Sequence, residues 1–169
     1  MKNQKLNLFI VDDNKLLATD LKLFLENRFG TDLNISKFND GESCLKMVDD
    51  LTSIVILDYN LEGQNGLEIL KAIKAINPNT EVVMLSGNED IAIAIQTFRA
   101  GAKDYVVKGT GSWRKLTSIV TKILLAPINL IVREFGVSKF VAIFFLTFII
   151  MGVVVAIAIN TMKPLVFIN

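Results

Sequence analysis

Short apolar runs alternate with longer, helix-like patterns five times in the first three quarters of this 169-residue sequence. Short runs rich in Val, Ile, Leu and Phe are typical of strands, and apolar residues three and four positions apart are typical of helices. Strict alternation predicts an α/β fold, in which a five-stranded parallel sheet is doubly wound by helices on both faces. The predicted strands are Leu6–Val11, Leu33–Phe38, Ile54–Leu57, Val82–Leu85 and Tyr105–Val107, and the predicted helices cover residues 14–29, 42–48, 66–76, 90–100 and 112–125.

A segment with a different solvent preference follows this pattern. Residues 1–125 carry 15 Lys/Arg and 16 Asp/Glu, whereas residues 126–169 carry only 3 and 1. Pro127 is expected to end the last helix, and the run Phe140–Ile159 contains no charged residue and one polar side chain, Thr147. A helix of that length spans roughly the 30 Å hydrocarbon layer of a bilayer. We expect a transmembrane helix, since a domain this small cannot cover a helix that is apolar on every side.

These changes divide the chain into four predicted segments. Residues 1–125 form the domain, 126–139 a juxtamembrane connector, 140–159 the transmembrane helix and 160–169 a short tail. More basic residues lie just before the helix than after it, and positively charged flanks stay on the cytoplasmic side of a membrane. We therefore expect a single-pass protein of the inner (cytoplasmic) membrane, with its large domain in the cytoplasm and the lipid bilayer as a partner.

The absence of histidine excludes several kinds of site at once. The chain can form no Ser-His-Asp triad, no histidine-ligated zinc site and no phosphohistidine of its own. The single Cys44 cannot form an internal disulfide and is expected to be a small, semi-buried apolar residue. The formal net charge of +1 gives no reason to expect nucleic-acid binding, and residues 126–169 are too short and too apolar for a DNA-reading domain.

Polar side chains follow the predicted strands at their carboxyl ends, where ligands bind in an open parallel sheet. Asp12 and Asp13 follow the first strand, Asp58 the third, Ser86 the fourth and Lys108 the fifth. Three converging carboxylates repel one another, and a hard divalent cation such as Mg²⁺ relieves that repulsion. Lys108 and Ser86 would then contact phosphoryl oxygens. Asp58 ends the central strand and stands alone, so it is the candidate nucleophile that would form an acyl phosphate.

With these polar residues in this order along the chain, roughly residues 5–125 resemble the CheY-like receiver domain of bacterial response regulators. The resemblance implies a flavodoxin-like sheet with strand order 2-1-3-4-5. It further implies that Asp58 accepts a phosphoryl group from the phosphohistidine of a sensor histidine kinase or phosphotransfer protein, in a two-component phosphorelay. The matching motifs are Val11-Asp12-Asp13, Val55-Ile56-Leu57-Asp58 followed by Leu61 and Gly66, Leu85-Ser86-Gly87, and Gly101-Ala102-Lys103-Asp104-Tyr105 leading to Lys108.

The resemblance also implies which residues bind the metal and which modulate the chemistry. Asp13 and Asp58 would bind Mg²⁺ directly, and Asp12 would act mainly through water. The main-chain carbonyl of Asn60 would be a further ligand. The side chains of Asn60 and Asn88 occupy positions that tune self-dephosphorylation in the family.

The remaining implied roles concern the phosphoryl group and the switch. Ser86 would bond the phosphoryl group, Tyr105 would follow it from an exposed to a buried rotamer, and Lys108 would pair with the phosphate. Two residues depart from the family's pattern, because Gly109 and Glu62 stand where the family usually or often has proline. Glycine permits many backbone conformations, so we expect a looser loop around Lys108, whereas every catalytic group is retained.

These roles describe a phosphoacceptor signalling protein rather than an enzyme, with Mg²⁺-dependent self-phosphorylation and self-dephosphorylation as its only chemistry. The domain would pass on its signal by protein–protein contact at the membrane or by homodimerisation, or it would serve as a reservoir of phosphoryl groups. One alternative is a non-phosphorylated docking module with a receiver fold. Another is a Mg²⁺-dependent phosphatase similar to haloacid dehalogenases, but those place the nucleophile in a D-x-D pair after the first strand, where this chain has adjacent Asp12 and Asp13.

Overall fold

The computed structural model describes residues 5–134 and 139–162 of the chain. The chain divides into two compact units, Met1–Ile123 and Leu124–Asn169. The elements, in chain order, are β1 (Leu6–Val11), α1 (Lys15–Phe29), a 3-10 turn (Gly30–Asp32), β2 (Leu33–Phe38), α2 (Gly41–Leu45), β3 (Thr52–Asp58), β4 (Asn60–Leu61), β5 (Gln64–Asn65), α3 (Gly66–Ile76), β6 (Glu81–Ser86), α4 (Ile91–Arg99), β7 (Asp104–Val107), α5 (Ser112–Glu134) and α6 (Lys139–Met162).

One five-stranded sheet forms the centre of the first unit. Its strand order is β2-β1-β3-β6-β7, and all four neighbouring pairs are parallel. The short strands β4 and β5 form a separate antiparallel ribbon. If β4 and β5 are left out of the numbering, the strand order becomes 2-1-3-4-5, which is the order that the family resemblance implied. The predicted α/β fold is therefore confirmed.

Burial along β3 shows that both faces of the sheet are covered. Successive side chains of a strand point to opposite faces, and Val55 and Ile56 are both at most 1% exposed. The edge strand β2 instead alternates between buried and more exposed residues, because only one of its faces packs on the core. The fully apolar central strands thus follow from a sheet that excludes water on both sides.

Side-chain caps begin the helices that follow the strands. The Asn14 side chain accepts hydrogen bonds from the amides of the first turn of α1, Asn65 caps α3 in the same way, and Asp90 caps α4. Such caps satisfy amides that have no partner within the helix. They turn the chain within a few residues of each strand end, which leaves the residues before them at the carboxyl edge of the sheet.

Two local features differ from what the sequence pattern predicted. The stretch 59–65, where the sequence pattern predicted neither strand nor helix, contains the ribbon in which Asn60 pairs with Asn65 and Leu61 with Gln64. The prediction that Pro127 ends a helix was wrong, because α5 continues to Glu134. A proline removes one backbone donor from a helix, and the hydrogen bonds of the other turns are still available to continue it.

The helix α6 contains the run for which a transmembrane helix was predicted. Large apolar side chains along it are exposed, including Phe148 at 64% and Met151 at 65%. Within residues 5–134 and 139–162, no helix is both long enough and apolar enough to cross a membrane. The prediction of a transmembrane helix over residues 140–159 is therefore not supported.

Candidate functional site

Three carboxylates meet at the carboxyl ends of the two central strands. Asp12 directly follows β1 and is 1% exposed, and Asp58 ends β3 and is 4% exposed. Asp13 is exposed beside them. One oxygen atom from each of the three carboxylates lies within 4.8 Å of the others. They meet because β1 and β3 are adjacent and in register, with Val11 paired to Leu57.

Lys108 links the two buried carboxylates. Its Nζ donates a hydrogen bond to Oδ2 of Asp58 at 2.6 Å and to Oδ2 of Asp12 at 2.9 Å. The backbone amide of Lys108 donates to the Ser86 carbonyl at 2.7 Å, which fixes the start of the lysine side chain beside β6. Among the residues that the structure describes, Lys108 is the cation that contacts this cluster, so negative charge remains in excess when all three carboxylates are ionised.

Burial and charge act in opposite directions on this ion pair. Burial raises the pKa of Asp58, and the hydrogen bond and charge of Lys108 only partly offset that rise. Burial also tends to lower the pKa of Lys108, but its hydrogen bonds to Asp58 and Asp12 outweigh this effect, so the pKa of Lys108 lies above its ordinary value. The lysine therefore stays charged, whereas the carboxyl of Asp58 is held in a site that disfavours its ionised form.

We expect the substitution Asp58→Asn to change the pH dependence of stability. A carboxyl whose folded-state pKa is raised contributes fully to stability below its ordinary pKa of 3.8, and that contribution is lost as the pH rises through the folded-state pKa. The free energy of unfolding of the unmodified chain, relative to that of the Asp58→Asn chain, should therefore fall between acidic and neutral pH. Urea unfolding of both chains in a chelating buffer measures this difference, and a difference that grows with pH would contradict it.

Ser86, Asn88 and Tyr105 form a hydrogen-bonded group next to the carboxylates. Ser86 is fully buried at the end of β6, and its Oγ accepts from the Asn88 amide at 3.0 Å. The hydroxyl of Tyr105 donates to the Asn88 carbonyl at 2.8 Å, and the tyrosine is 7% exposed. Asn88 in turn accepts from the amide of Asp90, the residue that caps α4. The predicted switch residues thus join the site to the start of α4, and the movement expected of them stays a prediction.

The β4–β5 ribbon contacts two of the carboxylates through its backbone. The Asn60 amide donates to Oδ1 of Asp58 at 3.2 Å, and the Glu62 amide donates to Oδ2 of Asp13 at 3.0 Å. The sequence predicted a role for Asn60 but none for the Glu62 amide. The available signal was that Glu62 stands where the family often has proline, which has no backbone N–H to donate.

The donor set fits a hard divalent cation. Carboxylate oxygens are the protein ligands that Mg²⁺ prefers, and three of them converge here with excess negative charge. The exposed Asp13 leaves one side of the cluster open to solvent. The cluster of Asp12, Asp13 and Asp58 could therefore hold a metal ion, whereas ligation by the main-chain carbonyl of Asn60 stays a prediction.

The sequence of this chain is similar to that of a known family and of known proteins. A family model described as the response regulator receiver domain matches residues 8–121. The cell cycle transcriptional regulator CtrA of Caulobacter vibrioides is 28% identical over 107 residues, which are 61% of this chain and 44% of CtrA. The transcriptional regulatory protein ZraR of Escherichia coli is 28% identical over 109 residues, which are 64% of this chain and 24% of ZraR. The chain thus spans less than half the length of these two relatives.

Solved structures show the same fold. The response regulator protein TrrA of Thermotoga maritima is 26% identical with a TM-score of 0.61, and the match covers 71% of this chain and 99% of TrrA. A CheY-like receiver domain protein from Methanospirillum hungatei is 20% identical with a TM-score of 0.64, covering 71% of this chain and 94% of that protein. The family match spans all the strand ends that carry the cluster. This chain belongs to the response regulator receiver domain family.

Proposed function

We propose that this chain is a phosphoacceptor of a two-component signalling system and that Asp58 receives the phosphoryl group. The observation that carries the proposal is the cluster itself. A buried carboxylate ends the central strand, a lysine nitrogen lies 2.6 Å from it, and two further carboxylates lie within 4.8 Å. The similar TrrA of Thermotoga maritima was solved in complex with Mg²⁺-BeF, which supports a site of this chemistry.

Asp58 is the proposed nucleophile. One of its carboxylate oxygens would form a bond to the phosphorus of a phosphohistidine on a partner kinase or phosphotransfer protein. The P–N bond of the donor breaks, and the histidine nitrogen leaves with its electron pair. The product is an acyl phosphate, so the donor loses the phosphoryl group that Asp58 gains.

Charge and hydrogen bonding would support this transfer. Lys108 would pair with a phosphoryl oxygen in place of the Asp58 oxygen that it contacts here. The Ser86 hydroxyl would donate its hydrogen to another phosphoryl oxygen. Because a hydroxyl oxygen also has two lone pairs, Oγ of Ser86 can at the same time accept the hydrogen bond from the Asn88 amide. A Mg²⁺ ion bound by the three aspartates would supply positive charge to the transferring group.

The experiment that tests this proposal is incubation of the purified chain with Mg²⁺ and acetyl phosphate. We expect the intact mass to rise by one phosphoryl group, and the rise to disappear with Asp58→Asn or with excess chelator. Asp49→Asn is the matched control, because Asp49 is an exposed aspartate just before β3 and should leave labelling intact. No labelling of the unmodified chain would favour the alternative of a non-phosphorylated docking module. The loop at Gly109, where the family usually has proline, would then be the feature that distinguishes this chain from phosphorylated receivers.

We further propose that the segment Phe140–Ile159 holds the chain at a lipid bilayer, with the receiver unit in the cytoplasm. The support is the sequence, which places no charge in those 20 residues, and the exposure of the described apolar side chains of α6. The exposure of many large apolar side chains along one helix is unfavourable in water. A membrane location would raise the local concentration of a receiver near a membrane-bound kinase.

Flotation with lipid vesicles tests this second proposal. The chain should float with the vesicles, and the double substitution Phe145→Lys and Ile149→Lys should largely abolish flotation, because the two charges reduce the apolar surface through which a helix binds at a membrane. Leu23→Lys on α1 is the control, since Leu23 is also an exposed apolar residue but lies in the receiver unit. A chain that stays with the soluble fraction would contradict membrane attachment.

A further inference from the structure

The β4–β5 ribbon is attached to its surroundings by two long-range hydrogen bonds. At its tip, the Glu62 amide donates to Oδ2 of Asp13 at 3.0 Å. Two residues later, the side-chain oxygen Oε1 of Gln64 accepts from the amide of Gly41 at 2.8 Å. The first contact reaches the acidic cluster, and the second ties β5, which directly follows the turn, to the start of α2.

The start of α2 is shaped to receive the Gln64 side chain. Gly41 is the first residue of α2, where a backbone amide has no partner within the helix. A Cβ atom at Gly41 would lie 2.8 Å from Oε1 of Gln64 and 2.5 Å from Cδ1 of Ile69. Glycine therefore lets the helix approach the ribbon closely enough for its free amide to reach Gln64.

The three carboxylates of the cluster differ in what orients them. Asp12 accepts from Lys108 and from the nearby Asn14 amide. Asp58 accepts from Lys108 and from the nearby Asn60 amide. Asp13 is the exposed member, and the amide that it accepts from is 49 residues away in sequence. Its orientation therefore depends on where the ribbon turn lies.

We propose that Gln64 is a positioning residue for divalent-cation binding. By fastening the ribbon turn to α2, Gln64 keeps the Glu62 amide at the place where it orients Asp13 toward the other two carboxylates. Partners that orient a metal-binding side chain commonly set the affinity of the site even though they do not touch the ion. The inference rests on the proposed function only in that the cluster binds a divalent cation.

The test compares Mg²⁺ affinity among substitutions at Gln64, measured by calorimetric titration without any phosphodonor. Gln64→Leu removes the acceptor, and Gln64→Ser is too short to reach Gly41. Both should weaken Mg²⁺ binding about tenfold. Gln64→Glu keeps an oxygen acceptor and should bind at least as tightly as the unmodified chain. Gln96→Leu, which removes an exposed glutamine from α4, is the matched control and should have no effect.

Hydrogen exchange at the Gly41 amide separates positioning from general loosening of the fold. We expect this amide to exchange faster in the Leu and Ser variants and to stay protected in the Glu variant, in step with Mg²⁺ affinity. Unchanged affinity together with faster exchange would overturn the inference while leaving the phosphoacceptor function standing. If the unmodified chain binds no Mg²⁺ at all, both the inference and the proposed metal site fail.

Discussion

Replacing Lys108 with Met is expected to lower the free energy of unfolding by about 3 kcal/mol at neutral pH in the absence of divalent cations. The lysine is the cation that contacts both buried carboxylates, at 2.6 Å and 2.9 Å. Methionine has a similar length but no charge, so Asp12 and Asp58 would face each other in a buried site without a counter-charge. The side chain of Lys108 is 25% exposed, which places the effect at the lower end of the range for buried ion pairs.

Urea unfolding with and without Mg²⁺ measures this effect. Mg²⁺ should restore part of the lost stability to the Lys108→Met chain, because the ion supplies positive charge to the same carboxylates. Lys103→Met is the matched control. Its ion pair with Glu81 is equally short, at 2.7 Å, but its side chain is 47% exposed, so we expect a loss of less than about 1 kcal/mol. Equal losses in the two variants would show that burial of the Lys108 pair has no energetic consequence.

Gly66→Ala is expected to be the second strongly destabilising substitution, with a loss of about 3 kcal/mol. A Cβ atom at this position would overlap the carbonyl oxygen of Asp58 and lie 2.7 Å from Cα of Tyr59. Both neighbours are backbone atoms, and the Gly66 amide donates to the Tyr59 carbonyl at 2.9 Å. The clash can therefore be relieved only by moving α3 away from the phosphoacceptor strand.

Gly87→Ala separates this clash from the general effect of replacing a glycine. A Cβ atom at Gly87 would meet no atom within 4 Å, and its φ lies outside the left-handed region. We expect Gly87→Ala to change the free energy of unfolding by less than about 0.5 kcal/mol. Thermal unfolding of both variants is the measurement. A Gly66→Ala chain as stable as the unmodified one would mean that α3 is not closely packed on the end of β3.

The sheet and most of the site could be predicted from the sequence, because the same physical pattern encodes both. Each central strand is recognisable by its apolar run, and the run ends at the first polar residue. Asp12, Asp58 and Ser86 are those polar residues, so the pattern that identifies the strands also identifies these members of the site. Parallel pairing then brings the ends together. The excess of carboxylates over lysines at that edge was equally visible, and it indicated a divalent cation before any distance was known.

The contacts that orient these residues could not be predicted in the same way. The bond between Gln64 and Gly41 joins residues 23 positions apart and depends on where a five-residue helix lies, which no periodic pattern specifies. The Glu62 amide would be present with any residue except proline, and the place where it donates depends on the path of the ribbon. The continuation of α5 past Pro127 was missed because a proline is a strong local signal, and the helical geometry of the neighbouring turns outweighed it.

The most direct test of the central claim is to identify which carboxylate carries the phosphoryl group. The chain is phosphorylated in the presence of Mg²⁺ by a phosphohistidine-bearing donor, reduced with borohydride, which reacts with an acyl phosphate and spares free carboxylates, and then digested for peptide mass spectrometry. We expect the reduced residue at position 58, with Asp12 and Asp13 unmodified. A reduced residue at position 12 or 13, or none in a chain that binds Mg²⁺, would contradict the assignment of Asp58 as the phosphoacceptor.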